Sequence, residues 1–214
     1  MTPTRPLGRL AVLVSGNGSN LQALLDAADA GTLPARVVLV ASDRPDAYGL
    51  QRARDSGVPA HVVDWQRLRR HGGEREGFDR RLADLVARHN PDLVVLAGFM
   101  RVLTPAFLRH FEGRVLNLHP ALPGAFPGVR AIERAHEACR ASGLRETGVM
   151  VHRVVPEVDA GPPVAVESIP LDPSESLEAL TTRVHAVEHR ILPAAVAEVL
   201  AALPDDEFAC RRAS

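Results

Sequence analysis

Short apolar runs alternate with amphipathic stretches along this 214-residue chain. Leu10–Val14, Val37–Val40 and Leu93–Ala97 hold no polar position, the mark of strands covered on both faces of a parallel sheet. Between and after them come stretches of helical character. Leu21–Ala30 has helical periodicity, Pro45–Ser56 reads as a helix, and His61–Val63 as a short strand. Glu74–Arg88 is amphipathic, with Phe78, Leu82, Leu85 and Val86 on one face. The second half gives a strand opening at Val115-Leu116, a helix over Ala131–Ala141, and strands over Gly148–Val155 and Val164–Val166. A long helix over Ser174–Leu200 follows, which Pro193 is expected to bend or divide. Successive strand–helix units predict an α/β fold, a mostly parallel twisted sheet with helices on both faces. The expected organisation is one domain over 1–214, with halves of about 9–110 and 111–203.

The turns between these elements carry the chemistry. Leu10–Val14 runs directly into Ser15-Gly16-Asn17-Gly18-Ser19-Asn20 and then into a helix. Glycines let backbone approach a ligand, a helix N-terminus offers unpaired N–H groups, and Ser19 and Asn20 add side-chain donors. Gly16 to Asn20 therefore form a candidate phosphate cradle, or a tight turn capped by Ser19. A dinucleotide site competes with this reading, because Asp43 follows the second strand where a ribose-binding acid would stand. Leu21 replaces the third glycine of that fingerprint, which favours a smaller phosphate ligand.

In Arg114–Gly128, RVLNLHPALPGAFPG, strand spacing points Asn117 and His119 the same way, and Pro120 ends the ladder. An amide can hydrogen-bond an oxygen gaining negative charge, and an imidazole can move a proton near neutral pH. The same pair could simply satisfy turn backbone. Asp159, in the turn Val158-Asp159-Ala160-Gly161-Pro162, is a carboxylate that could hold a histidine protonated or cap its own turn. Gly98 to Leu103, after a buried strand, reads as a cleft wall or as a plain connection.

Composition narrows the classes. Apolar residues make up 46% and charged ones 24%, and a net charge of −1 gives no general pull toward nucleic acid or anionic membrane. All 25 basic residues are arginine, which excludes Schiff-base lysine chemistry and the P-loop lysine. Cys139 and Cys210 lack neighbours at metal-ligand spacing, so no metal site or disulfide framework is expected, and a reducing cytoplasm fits best. The N-terminal apolar run is too short for a secretory signal or membrane span; residues 1–8 read as a lead-in and 204–214 as a polar tail.

Together the blocks LVSGNGSNLQALLDA, DAYGLQRARDSGVP, PDLVVLAGFMRVLTPAF, RVLNLHPALPGAFPG, TGVMVHRVVPEVDAGPPV and TRVHAVEHRILP resemble the phosphoribosylglycinamide formyltransferases, in that family's order over roughly residues 9–200. The resemblance implies a Rossmann-like formyltransferase fold. It also implies transfer of a formyl group from 10-formyltetrahydrofolate, a co-substrate, to glycinamide ribonucleotide in de novo purine biosynthesis, without a metal. It makes Asn117, His119 and Asp159 the catalytic trio, supported by His152. Gly16, Asn17, Gly18, Ser19 and Asn20 would hold the phosphate, and Glu188 the ribose or glycinamide part. Met100, Arg101, Val102 and Leu103 would line the folate pocket, with Arg75 on the folate side. The first half would then bind phosphate and the second folate, in a monomer or homodimer. The family usually has Ser where Ala121 stands. A formyltetrahydrofolate hydrolase and a non-catalytic nucleotide-binding module are the alternatives.

Overall fold

A computed structural model describes residues 6–204; Cys210 and the tail beyond Pro204 lie outside them. Among the described residues the strands form one seven-stranded sheet. They are β1 (Gly8–Val14), β2 (Ala35–Ser42), β3 (Ala60–Val62), β4 (Leu93–Leu96), β5 (Val115–His119), β6 (Glu146–Arg153) and β7 (Pro163–Pro170). Their order across the sheet is β3-β2-β1-β4-β5-β6-β7. The first five are parallel, whereas β6 runs antiparallel to β5 and β7 antiparallel to β6. The helices are α1 (Ser19–Asp29), α2 (Gly49–Asp55), α3 (Trp65–Arg70), α4 (Arg75–Ala87), α5 (Pro105–Leu108), α6 (Ala131–Ser142) and α7 (Leu177–Ala202).

The apolar runs alternate in space because successive strand residues face opposite ways. Leu10, Val12 and Val14 enter one core layer with Leu21 and Leu24 of α1 and Val184, Leu192 and Val196 of α7. Ala11 and Leu13 enter the other with Phe78, Leu82 and Val86 of α4. That is why Leu10–Val14 of β1 and the whole of β4 carry no polar residue: neither face meets water.

Several boundaries differ from the sequence reading. The helix expected from Pro45 begins only at Gly49, whose N–H donates to the Gly16 carbonyl at 3.0 Å and ties α2 to the glycine turn. The short helices α3 and α5 escape hydrophobic periodicity; Asp64 caps one and Thr104 the other. Pro193 does not divide α7, which stays helical across it, losing one backbone hydrogen bond where proline has no N–H. Among the described residues, no helix is long and apolar enough to cross a membrane.

The strand order reverses between β1 and β4, since the chain steps one way to β2 and β3 and returns on the far side of β1. Open α/β sheets bind ligands beyond the strand carboxyl ends at such a point. The Ser15–Asn20 turn leaves β1, the Gly98–Leu103 segment leaves β4, and Asn117 and His119 end β5 beside them.

Candidate active site

β5 places its residues by parity. Leu116 and Leu118 pack into the α7 layer, so Asn117 and His119 lie on the opposite face, with Val115. The antiparallel register sets Asn117 opposite His152 of β6. The β6–β7 turn then carries Asp159 up to both. Asn117 Nδ2 lies 3.2 Å from Asp159 Oδ1 and 3.1 Å from His152 Nε2. His119 Nδ1 stands 3.4 Å from Asp159 Oδ2, and the Gly128 N–H donates to the same oxygen at 2.8 Å. His119 Nε2 lies 3.2 Å from the Phe126 carbonyl. Asn117, His119, Asp159 and His152, proposed from sequence as one group, thus form one connected network.

Backbone strain concentrates here. Of the four non-glycine residues with positive φ among those described, Phe126, Arg130 and Asp159 lie in the two loops around His119; Asn90 is elsewhere. A phenylalanine in this conformation is unusual, and the surrounding contacts hold it there. Gly161 permits the close return of the Asp159 turn. A Cβ on it would lie 1.7 Å from the Arg153 carbonyl oxygen.

The charges are tuned by burial against partners. Burial pulls the His119 imidazole below its ordinary range, and it outweighs the opposing pull of the Asp159 carboxylate and the Phe126 carbonyl. The ring therefore rests neutral, whereas the sequence suggested that Asp159 would keep it protonated. For Asp159, burial acts upward, yet hydrogen bonds from His152 and the Gly128 N–H hold it below the usual carboxylate range. His119 faces two acceptors and in its neutral form has one N–H, so a second proton would find a partner already in place.

A cavity opens over this network, lined by Phe99 to Leu103, Val129, Val154, Val155 and Val158. Met100 and Val129 at its mouth are 66% and 65% exposed, an apolar surface that no part of the described chain covers. Its wall is braced from behind. Ser15 Oγ accepts from the Met100 N–H at 2.8 Å, the Asp79 carboxylate from the Thr104 N–H at 2.6 Å, and the Val102 carbonyl from Arg75. Arg75 is not among the residues lining this cavity and is tied to the wall through the Val102 carbonyl. Arg101 lines it, but its Nε is bound to Asp43 at 2.6 Å and its guanidinium lies over the Trp65 ring.

Asp43 is 2% exposed and also takes the Ser15 hydroxyl at 2.6 Å. Its carboxylate is engaged inside the protein, so the ribose contact that a dinucleotide site requires is absent. The sequence could not give this result, because Ser15, Asp43 and Arg101 are brought together only by the sheet.

The glycine turn is a second polar station. Gly18 takes a left-handed conformation (φ 75°), and a Cβ there would lie 2.6 Å from the Gly49 Cα. Arg52 of α2 holds the turn by Nε to the Asn17 carbonyl at 2.9 Å and Nη2 to Asn17 Oδ1 at 3.0 Å. Asn20 Nδ2 donates to Glu188 Oε2 at 3.1 Å, joining the turn to α7. Burial pushes the Glu188 carboxyl up from its ordinary range, partly offset by Asn20 and His185. Arg52 escaped the sequence reading; nothing but its place in an arginine-rich helix marked it. Phe126, Gly128, Val129 and Val158 were also missed as site residues, although Gly128 belongs to the turn-forming run after His119.

The formyl transferase family model matches residues 8–196. The phosphoribosylglycinamide formyltransferase of Schizosaccharomyces pombe is 43% identical over 199 residues, covering 89% of this chain and 96% of that protein. Its Escherichia coli counterpart is 41% identical, covering 86% and 83%. Among solved structures, glycinamide ribonucleotide transformylase 1 of Symbiobacterium toebii superposes with a TM-score of 0.83 at 42% identity, covering 89% of this chain and 86% of that one.

Proposed function

The chain belongs to the formyl transferase family, and on that premise we propose that its cleft moves the formyl group of 10-formyltetrahydrofolate to the amine of 5-phosphoribosylglycinamide. The products are the N-formyl nucleotide and tetrahydrofolate, a step of de novo purine biosynthesis. The observation that carries the site assignment is the convergence of Asn117, His119 and Asp159 under an apolar-walled cavity beyond the strand carboxyl ends.

In this reading the folate ring lies against the wall of Met100 to Leu103. The nucleotide phosphate rests on the backbone N–H groups of Gly16 to Asn20, where the α1 N-terminus favours negative charge. Glu188, beside that turn, receives a hydroxyl or amide of the nucleotide. The substrate amine attacks the formyl carbon, and an electron pair moves onto the formyl oxygen. Collapse of the tetrahedral intermediate breaks the bond to N10. The amine gives up one proton and N10 takes one. His119, neutral and flanked by two acceptors, receives the proton from the amine and delivers it to N10. Asp159 stabilises the imidazolium while it lasts. A positioned donor at the oxygen is worth about 100- to 1,000-fold in rate, the role read from the sequence for the Asn117 amide, which lines the cavity.

A spectrophotometric assay with a 10-formylfolate donor tests this. Turnover that requires glycinamide ribonucleotide is the expected outcome. Turnover without the nucleotide would mean a hydrolase, and none with both substrates present would overturn the proposal.

A further inference from the structure

We infer that Asp43 is a positioning residue for the cavity wall: its two carboxylate oxygens fix Ser15 and Arg101, and through them the segment Gly98 to Leu103, in the form that receives the folate. The packing needs no ligand; only the use of the wall by folate rests on the formyl-transfer reading above.

Asp43, Ser15 and Arg101 follow the carboxyl ends of β2, β1 and β4, three adjacent strands that meet where the strand order reverses. What each group can do sets the direction of each hydrogen bond. The Met100 N–H can only donate, so Ser15 Oγ accepts it at 2.8 Å. The single hydroxyl hydrogen then goes to Asp43 Oδ1 at 2.6 Å. Asp43 Oδ2 takes the Arg101 Nε–H, also at 2.6 Å. Two donors thus converge on one buried side chain. An ionised carboxylate offers an acceptor to each. An amide of the same shape would set its NH2 against the Ser15 hydrogen or against the guanidinium, and one link would break.

Both links end on the wall. Ser15 holds it at two points, since its own N–H donates to the Gly98 carbonyl at 3.1 Å while its hydroxyl receives Met100. Arg101 is held at Nε and by the Trp65 ring, whose centroid lies 5.2 Å from the guanidinium carbon. The Trp65 N–H donates in turn to the Asp43 carbonyl at 3.3 Å, so main chain and side chain of one residue carry both faces of this stack. The glycine turn does not hang on the carboxylate. Arg52 holds it through Asn17, and the Gly49 N–H through the Gly16 carbonyl. Asp43 therefore serves the folate side of the cleft, although a ribose contact is what its place after β2 suggests.

The test has two arms. The chain has one tryptophan, so emission of the ligand-free protein reports on Trp65 and its arginine cover. Asp43→Asn should shift that emission to the red and make it easier to quench with acrylamide. Unchanged emission and quenching would overturn the inference. In kinetics, Asp43→Asn should raise KM for the 10-formylfolate donor about tenfold, with KM for glycinamide ribonucleotide within about twofold and kcat within about threefold. Ser15→Ala should raise the same KM by a smaller factor, and it carries the prediction where Asp43→Asn does not fold. The double variant should lose little more than Asp43→Asn alone, because both act on one chain of contacts. An equal rise in both KM values, a lower melting temperature with unaltered kinetics, or additive losses would overturn the inference. Should the unaltered protein fail to transfer formyl groups, the functional reading falls, while the tryptophan signal still decides whether Asp43 holds the wall.

Discussion

The two polar stations at the top of the sheet are built in opposite ways. Around His119 the polar atoms are inward and engaged: Asn117, His152, Asp159, Gly128 and Phe126 bind one another across 7 to 42 residues of sequence. At the glycine turn the main parts are consecutive, Gly16 to Asn20, and α1 starts with no side-chain cap on its N-terminal groups. The first station is a closed network in which one changed atom disturbs every neighbour. The second is a local cradle that two outside residues, Arg52 and Glu188, steady. Chemistry at a reacting centre needs fixed geometry, whereas capture of an anion needs donors that are free.

Breaking the closed station should have the largest effect. Asp159→Asn removes the charge that both His119 and Asn117 face, and kcat should fall about 100- to 1,000-fold with the melting temperature little changed. Steady-state kinetics with a thermal melt checks this, and near-normal turnover would detach Asp159 from the chemistry. Gly161→Ala comes next. Its methyl group would clash with the Arg153 carbonyl, so the turn must move, with a cost of about 1–3 kcal/mol. Denaturant unfolding should register that loss together with reduced kcat.

At the open station, Gly18→Ala meets both a left-handed backbone and the Gly49 Cα, a cost of about 1–2 kcal/mol. On the proposed reading, in which the turn holds the phosphate and not the reacting atoms, KM for the nucleotide should rise roughly tenfold with kcat nearly kept. A fall in kcat alone would merge the two stations.

The smallest effect sharpens the contrast through pH. The Glu188 carboxyl is raised in the folded state, so its contribution is fully present below its unfolded pKa and is lost as pH rises through the folded value. Ionised Glu188 therefore costs stability at neutral pH. Glu188→Gln should melt a few degrees higher there, with the advantage growing across the acidic range and then levelling. Nucleotide KM should rise in the same variant. A melting advantage independent of pH would mean that the carboxyl does not ionise on that path.

Much of this was legible in the chain itself. Apolar runs two-faced enough to lack polar residues gave β1, β2 and β4, because burial on both sides leaves no position for charge. The glycine turn was legible because its parts are adjacent and its demand on the backbone is local. Asn117 and His119 could be paired because strand parity is a property of neighbours, and Gly161 could be flagged as a turn residue. Pro193 misled, since a long buried helix packed along its length tolerates the loss of one hydrogen bond.

What only the tertiary structure decided lies between segments far apart in the chain. Asp43 looked like a free ribose ligand until the sheet delivered Ser15 and Arg101 to it. Arg75 could not be tied to the Val102 carbonyl, 27 residues on, until α4 was packed beside that segment. The resting charge of His119 depended on burial outweighing Asp159, and the meeting of Asn117 with Asp159 and His152 on the sheet's register. Sequence dictates which groups exist and how near neighbours point. The sheet dictates which distant groups compete for the same hydrogen, and that competition sets the protonation and orientation on which the chemistry depends.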